Sequence, residues 1–232
     1  MIRQIAATSA TLIVSFLLFE FSAIDIMIQN KFFNFEINQW IIDRNDQVLK
    51  FIFYDGIKRL YLILVLLVIV TLVLFSSSPV VVGYKQDLRV VLLSLILVPL
   101  LIGTLKASTN MPCPRDLQIY NGLYPHVTLL ESYPENLKPP HRLKCYPAGH
   151  ASGGFALLAF FFLFKTRRSK TIAVVAAITL GWVIGSYKIL IGDHFISHNV
   201  VAMLIAWLLI LFLNRFLGSY NSLKGSETYL KN

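Results

Sequence analysis

Two histidines of this sequence lie where apolar stretches begin, next to residue types that phosphate chemistry uses. His150 closes the run Cys145-Tyr146-Pro147-Ala148-Gly149-His150, which separates a polar loop from the apolar residues 151–164. Pro147 suits the first position of a helix, whose free N–H groups and positive dipole end bind anions. The sequence therefore predicts an anion site beside a histidine that titrates near neutral pH. Without the other motifs, this segment is also consistent with an ordinary helix N-terminus in which the histidine has no function.

Two further polar clusters carry groups of the same kind. One runs from Lys106 to Asp116, and the other runs from Lys188 through His194 to His198. Charged groups at membrane depth are costly and indicate function. A lone lysine at a helix end is more often an anchor at the interface. Two histidines together with cations at the ends of three apolar stretches favour a site.

The composition is that of a membrane protein. Of the 232 residues, 56% are hydrophobic and 14% are charged, whereas soluble domains carry about a quarter charged residues. We therefore expect one integral-membrane domain, residues 1–232, in contact with a lipid bilayer. The net charge of +9 follows largely from membrane topology. No module for nucleic acid is present, so nucleic acid is not an expected partner, and the oligomeric state stays open.

Six apolar runs predict an all-α fold, a bundle of six transmembrane helices. The predicted helices are residues 5–24, 60–75, 89–106, 148–164, 171–191 and 196–217, and a long outer loop covers 107–147. The basic turn 165–170 carries four Lys/Arg and should be cytoplasmic. Both termini are then cytoplasmic, and Lys106, His150 and His194 lie at outer ends of helices.

Two segments near the N-terminus leave room for alternatives. The first apolar run also resembles a signal peptide, but Phe21-Ser22-Ala23 lacks a small-x-small cleavage pattern, which favours a retained helix. In residues 25–57, apolar side chains fall at helical spacing, which predicts a helix lying in the interface. These side chains are Phe33, Ile37, Trp40 and Ile41. An ordinary packed connector is equally consistent with this stretch.

The three clusters resemble the motifs of the phosphatidic acid phosphatase type 2 superfamily, which also includes vanadium haloperoxidases. The family pattern is K-x6-R-P, then P-S-G-H, then S-R-x5-H-x3-D. The resemblance covers roughly residues 100–205. The matching residues are Lys106 and Pro114 in the first motif, Pro147, Gly149 and His150 in the second, and His194 in the third. Lys188 takes the place of the third motif's arginine.

Four positions depart from the family pattern. Cys113 stands where the first motif has arginine, although Arg115 follows two residues later. Ala148 replaces serine, which keeps the backbone N–H and removes a hydroxyl. Tyr187 also replaces serine, and His198 replaces the aspartate that would orient the nucleophile. Together these changes indicate a divergent branch or altered chemistry.

The resemblance implies a mechanism through phosphohistidine. His194 would attack phosphorus, and protonated His150 would give its proton to the leaving oxygen. The expected phosphate-binding groups are the side chains of Lys106, Lys188 and Arg115 and the N–H groups of Ala148, Gly149 and His150. Either His198 or Asp116 would orient His194. Arg142 would bind an acidic head group, or it belongs to a solvated basic edge.

No cofactor and no metal are expected from this chemistry. His194 and His198 form an i, i+4 pair, which is also the spacing of two zinc ligands on a helix. The carboxylate of an H-E-x-x-H site is absent between them. The histidines are also not surrounded by carboxylates or thiolates at metal-ligand spacing.

The expected substrate is a membrane phospholipid or a lipid-linked phosphate, because the site lies at the membrane interface. The family implies lipid A, undecaprenyl pyrophosphate, phosphatidylglycerol phosphate or phosphatidic acid. The expected location is a bacterial-type inner membrane, with the site facing the periplasm. A lipid phosphotransferase would use the same site. A catalytically inactive lipid-binding or transport protein is the alternative from another class.

Cys113 and Cys145 are the only cysteines. Both fall in the outer loop, in an oxidising compartment where a disulfide persists. We therefore predict a disulfide that joins the ends of the third and fourth predicted helices and closes a loop of about thirty residues. Two free thiols are the alternative.

Overall fold

The computed structural model describes residues 1–229 and the side chains of residues 1–219. Its short elements include a two-stranded hairpin, β1 (Phe33–Asn34) and β2 (Gln39–Trp40), and four short α-helices. These helices are α2 (Ile24–Gln29), α3 (Gln47–Lys50), α6 (Gly149–Ala156) and α7 (Phe160–Leu163). The long helices are α1 (Ile2–Glu20), α4 (Ile57–Leu74), α5 (Pro79–Ser108), α8 (Arg167–Leu190) and α9 (Ile196–Tyr229).

Five helices are long and apolar enough to cross a membrane, which indicates a multi-pass membrane protein. They are α1, the continuous helix Gln47–Leu74, α5, α8 and the Ile196–Ser219 part of α9. The sixth predicted span corresponds to Gly149–Leu163, where α6 and α7 are joined by a single tighter turn. At about 1.5 Å per residue this segment extends about 22 Å, less than the ~30 Å of a bilayer core.

This short segment forms the centre of the bundle, packed among α5, α8 and α9. Small residues allow the packing: a Cβ on Gly154 would lie 2.6 Å from the Cα of Gly181 in α8, so the two backbones touch. Phe155 is fully buried against the same glycine. The start of α6, which carries His150, is therefore held by a close-packed core.

Helix α5 begins ten residues before the predicted start at 89. Pro79 occupies its first turn, where its missing N–H costs nothing. Lys85, Asp87 and Arg89 therefore lie on this helix. Asp87 pairs there with Lys165 of the basic turn, which explains why an acidic residue is tolerated in an otherwise apolar helix.

The prediction of an interfacial helix around Phe33–Ile41 is wrong, because these residues form the hairpin. Asn34 Oδ1 accepts hydrogen bonds from the N–H groups of Glu36 (2.9 Å) and Ile37 (3.3 Å). Asn38 has a left-handed φ of 53°. Such side-chain bonds to the backbone compete with helix formation. The hairpin places Trp40 beside Phe33 and Tyr120, with ring centroids 4.9 and 5.1 Å away.

Candidate active site

The turn after α8 places the predicted nucleophile. Gly192 has a φ of 75°, and a Cβ there would lie 2.4 Å from the Trp40 indole, so the hairpin and the conformation both require glycine. The chain then turns back over the end of α8. The N–H groups of Asp193 and His194 both donate to the Lys188 carbonyl, at 2.8 and 3.2 Å. This turn fixes the backbone of His194.

His194 and His198 form a buried pair. Their Nδ1 atoms are 3.3 Å apart, and the residues are 2% and 0% exposed. Within the described residues His194 Nε2 has no hydrogen-bond partner, so it is the nitrogen left for a substrate. Burial, followed by the nearby His198 and Lys106, lowers the pKa of His194 well below its usual range. The ring is therefore neutral near pH 7, as a nucleophile must be.

His150 lies in the first turn of α6, with its ring centroid 5.9 Å from that of His194 and 5.1 Å from that of Tyr54. The buried Nδ1 of His150 makes no hydrogen bond in the part of the chain that the structure describes. The N–H groups of Gly149 and His150 also find no acceptor among these residues. They remain able to bind an anion.

Two details of this helix start differ from prediction. The helix begins at Gly149 with Ala148 as its N-cap, so Pro147 precedes the first helical position. The Ala148 N–H donates to the carbonyl of His198 at 3.1 Å. This bond holds Ala148 in an extended conformation, and it removes the Ala148 N–H from the predicted phosphate-binding groups.

The predicted cations meet at one carboxylate. Lys188 Nζ lies 2.9 Å from Asp193 Oδ2, and Arg115 forms an ion pair with Asp193 Oδ1. Arg44, which follows the hairpin, approaches Oδ1 to 3.5 Å. Asp193, which adjoins His194 in sequence, thus pairs with cations that were expected to hold a phosphate.

Lys106 reaches the same region from the end of α5. A Cβ on Gly149 would lie 3.6 Å from Lys106 Cδ, so the lysine side chain crosses the first turn of α6. Thr109 fixes the helix end, since its hydroxyl is 3.0 Å from the Lys106 carbonyl and 2.7 Å from the Tyr146 carbonyl. The lysine, the free N–H groups and His150 therefore share one surface.

A disulfide joins Cys113 to Cys145, with a Cα–Cα distance of 5.2 Å. Cys145 also donates its N–H to Met111, at 3.1 Å. The disulfide ties the segment after α5 to the segment before α6 and spans 32 residues of sequence. In the chain-entropy model, closing such a loop contributes roughly 3–4 kcal/mol. Cys145 Sγ lies 3.6 Å from His194 Nδ1, so the bond is part of the histidine site.

Two other predicted residues lie away from the histidines. Asp116 accepts from the N–H of Cys113 at 3.1 Å and pairs with Arg115 at 3.6 Å, whereas the neighbour of His194 Nδ1 is His198. Arg142 donates to the Ser108 carbonyl at 3.0 Å. It lines a cavity that His150 does not line. Neither residue is hydrogen-bonded to a histidine in the described part of the chain, and Asp116 joins the cations through its pairing with Arg115.

A model of the PAP2 superfamily matches residues 87–221, more than half of the chain. The chain belongs to the PAP2 superfamily. Members of this superfamily are generally phosphatases, so membership indicates activity on phosphate esters. The matched region contains both lysines and all three histidines of the site. Comparison with curated proteins and with solved structures found no match.

Three residues of this PAP2 site were missed by sequence reasoning. Arg44 and Tyr54 belong to the connector, and neither had a local signal of function. Asp25 in α2 accepts from the N–H (3.0 Å) and the hydroxyl of Ser197, so it caps the helix that carries His198. Burial raises the pKa of Asp25 to about 6. No local pattern links two residues so far apart in the chain.

The ion pairs of Asp193 with the surrounding cations lead to a first prediction about stability and phosphate binding. In Asp193→Asn the cations lose their resident anion, and Lys188, whose side chain is only 11% exposed, loses its ion-pair partner. We expect a cost of about 2 kcal/mol, seen as an unfolding midpoint about 4–8 °C lower in phosphate-free buffer. Added phosphate should raise this midpoint more than it raises that of the parent, because phosphate replaces the missing charge.

The matched control is Asp87→Asn, which removes an ion-pair carboxylate near the opposite end of α5 from Lys106. It should leave the phosphate-induced rise unchanged. An equal rise in Asp193→Asn and the parent would show that phosphate does not bind at these cations. Thermal unfolding in detergent, followed by intrinsic fluorescence over a phosphate titration, measures all three proteins.

Proposed function

We propose that this PAP2 protein is a membrane phosphatase that hydrolyses a lipid phosphate or pyrophosphate through a phosphohistidine. The main support for a lipid substrate is a cavity of about 390 Å³ that adjoins His150. Its other walls are mainly apolar, and they include Tyr61 and Leu64 of α4 and Leu180 and Ile184 of α8. A head group at the histidines would thus have an apolar chain-binding space next to it.

The cationic side chains and the N-terminus of α6 bind the phosphate. Lys106, Lys188 and Arg115 neutralise the phosphoryl oxygens, and the N–H groups of Gly149 and His150 add dipoles that are already oriented. The substrate phosphate replaces the Asp193 carboxylate in these contacts. Arg44 joins them from the connector. The preorganised charge lowers the barrier because little reorganisation is needed as the transition state forms.

The covalent step uses the histidines. His194 Nε2 attacks phosphorus, the bond from phosphorus to the leaving oxygen breaks, and His150 gives that oxygen its proton. A phosphohistidine and the dephosphorylated lipid result. In the second step His150 takes a proton from water and the hydroxide oxygen bonds to phosphorus. The bond from phosphorus to His194 Nε2 breaks, which releases inorganic phosphate and restores the free imidazole. Neutral His198 fixes the ring of His194 through the Nδ1 contact.

The charge distribution supports an orientation. The basic segment 165–170 runs from the turn after α7 into the first turn of α8 and carries four Lys/Arg, and such segments stay in the cytoplasm. The catalytic cluster lies at the opposite ends of α5 and α8, and so faces outward. The disulfide fits this assignment, because disulfides persist in an oxidising compartment. A bacterial-type inner membrane with the site facing the periplasm accommodates both features.

The test is phosphate release by the purified protein in detergent. The panel should contain phosphatidic acid, phosphatidylglycerol phosphate, lipid A and undecaprenyl pyrophosphate, with a water-soluble aryl phosphate for comparison. We expect release from at least one lipid with a kcat/KM well above that for the aryl ester. No release from any substrate would favour a lipid-binding protein without activity. Transfer of phosphate to an added lipid would indicate a phosphotransferase.

A substitution in the cavity tests the lipid specificity. Gly153 lines the cavity, where its Cβ would lie 3.4 Å from the Tyr61 ring, so a leucine at 153 must extend into the chain-binding space. For Gly153→Leu we expect a kcat/KM about tenfold lower or more for a long-chain lipid phosphate, and a change below about twofold for an aryl phosphate.

Gly83→Leu is the control, because a Cβ at that exposed position of α5 has no neighbour within 4 Å among the described residues. Both substitutions add the same side chain to a helix. Equal losses on lipid and aryl substrates in Gly153→Leu would place the lipid chain elsewhere. Steady-state rates on both substrates, measured in the same detergent, decide the comparison.

A further inference from the structure

The disulfide and the histidine pair are arranged like the ligands of a tetrahedral metal site. Cys145 Sγ is 3.6 Å from His194 Nδ1, and His194 Nδ1 is 3.3 Å from His198 Nδ1. One ligand atom from each of Cys145, His194 and His198 lies within 4.8 Å of those of the other two, and all three residues are buried. Zinc bonds of about 2.0–2.1 Å to nitrogen and about 2.3 Å to sulfur give tetrahedral edges of roughly 3.4 Å (N to N) and 3.6 Å (S to N). The two observed spacings that involve His194 match these two edges, and the third spacing is within 4.8 Å.

In the oxidised protein this set is incomplete. A thiolate is the metal ligand, and Cys145 Sγ is bonded to Cys113. Two histidine nitrogens alone are a weak site, since structural zinc sites have four protein ligands and catalytic zinc sites usually three. The disulfide therefore prevents Cys145 from acting as the third ligand, although it keeps the Cys145 sulfur next to His194.

We propose that reduction of the Cys113–Cys145 disulfide turns the catalytic histidines into an inhibitory zinc site of Cys145, His194 and His198. A dithiol supplies two electrons and two protons, becomes a cyclic disulfide, and leaves two thiols on the protein. On binding zinc, the Cys145 thiol releases its proton to solvent. Water or a phosphate oxygen takes the fourth position. The disulfide thus keeps the nucleophile free of metal.

Zinc would inhibit phosphate release because it binds Nδ1 of the proposed nucleophile His194. This step of the inference rests on the proposed function. A neutral imidazole that binds zinc through Nδ1 carries its ring proton on Nε2, so Nε2 of His194 has no lone pair with which to attack phosphorus. The same ion occupies His198 Nδ1 and so ends the contact that orients His194. Zinc binding itself is independent of any activity of the protein, so it is measured separately.

Two serine variants give a matched test. Cys113→Ser and Cys145→Ser both remove the disulfide, but only the first leaves Cys145 free beside the histidines. Cys113 does not belong to the three-residue ligand set. We expect Cys113→Ser to bind about one zinc ion per chain without any reductant, and Cys145→Ser to bind none after the same dialysis. Cobalt in place of zinc should give thiolate-to-cobalt absorption in Cys113→Ser only.

The parent protein provides the second comparison. Reduction by a phosphine, which takes oxygen from water as it reduces the disulfide and competes little for zinc, should raise zinc content from near zero to about one ion per chain. Phosphate release should fall with zinc content and return on chelation. Zinc absent from both the reduced parent and Cys113→Ser overturns the proposal, and so does equal binding by Cys145→Ser. Zinc binding in a protein that releases no phosphate would overturn the proposed function and leave this site standing.

Discussion

His194→Ala should lower the rate of phosphate release by about a thousandfold or more, because no neighbouring group replaces the nucleophile. His194 Nε2 is the unpartnered nitrogen of a buried neutral ring, and His198 beside it faces His194 through Nδ1. The parent, mixed with ³²P-labelled substrate and quenched in alkali, should carry label that is stable to base and lost in acid. His194→Ala should carry none.

His141→Ala is the matched control, since His141 is exposed on the loop between α5 and α6 and lies outside the histidine cluster. It should keep both the rate and the label. Thermal unfolding should show that His194→Ala is folded. A folded variant that releases phosphate as fast as the parent, or that still carries the alkali-stable label, would contradict the phosphohistidine mechanism.

The sequence predicted the members of the cluster because each lies next to the end of an apolar helix. Lys106, His150, Lys188 and His194 are set by helix ends that hydropathy locates within a few residues. The pairing of Cys113 with Cys145 was predictable for the same reason, since these residues lie next to the end of α5 and the start of α6. Where a helix end fixes a residue, a linear pattern carries the spatial information.

Other parts of the site depend on contacts between distant segments. Arg44 reaches Asp193 because the hairpin packs on Tyr120 and Gly192, and helical spacing in the connector predicted a different structure. The Ala148 N–H is lost to phosphate because it bonds to His198, fifty residues later. Propensity and periodicity describe neighbours in sequence, so they do not report such pairings.

The role of Asp193 shows a different limit. Asp193 adjoins His194 in sequence, and this position did not identify the partners of its carboxylate. The structure gives it three cationic partners from three segments: Lys188, Arg115 and Arg44. An anion within a cluster of cations stabilises the site without substrate, and in the proposed function a substrate phosphate replaces it. The pairing of Asp193 with cations therefore depends on the total charge of Lys188, Arg115 and Arg44, which come together only in the folded chain.

His150→Ala should affect substrates according to their leaving groups. A lipid alkoxide leaves phosphorus slowly unless it receives a proton, and a general acid contributes about 10²–10⁴-fold to such a step. We therefore expect kcat/KM for a lipid phosphate to fall by about that factor. For 4-nitrophenyl phosphate, whose phenolate leaves without a proton, the fall should stay below about tenfold. Initial rates on both substrates measure the difference.

The second chemical step sharpens this prediction. In the proposed mechanism His150 also takes the proton of the attacking water, so its loss should slow hydrolysis of the phosphohistidine even where formation is fast. With 4-nitrophenyl phosphate, His150→Ala should then release a burst of nitrophenolate approaching one equivalent per chain, followed by a slow phase, and His194 should accumulate the alkali-stable label. The parent should show a smaller burst or none. Equal losses on both substrates without a burst would mean that His150 binds phosphate and transfers no proton.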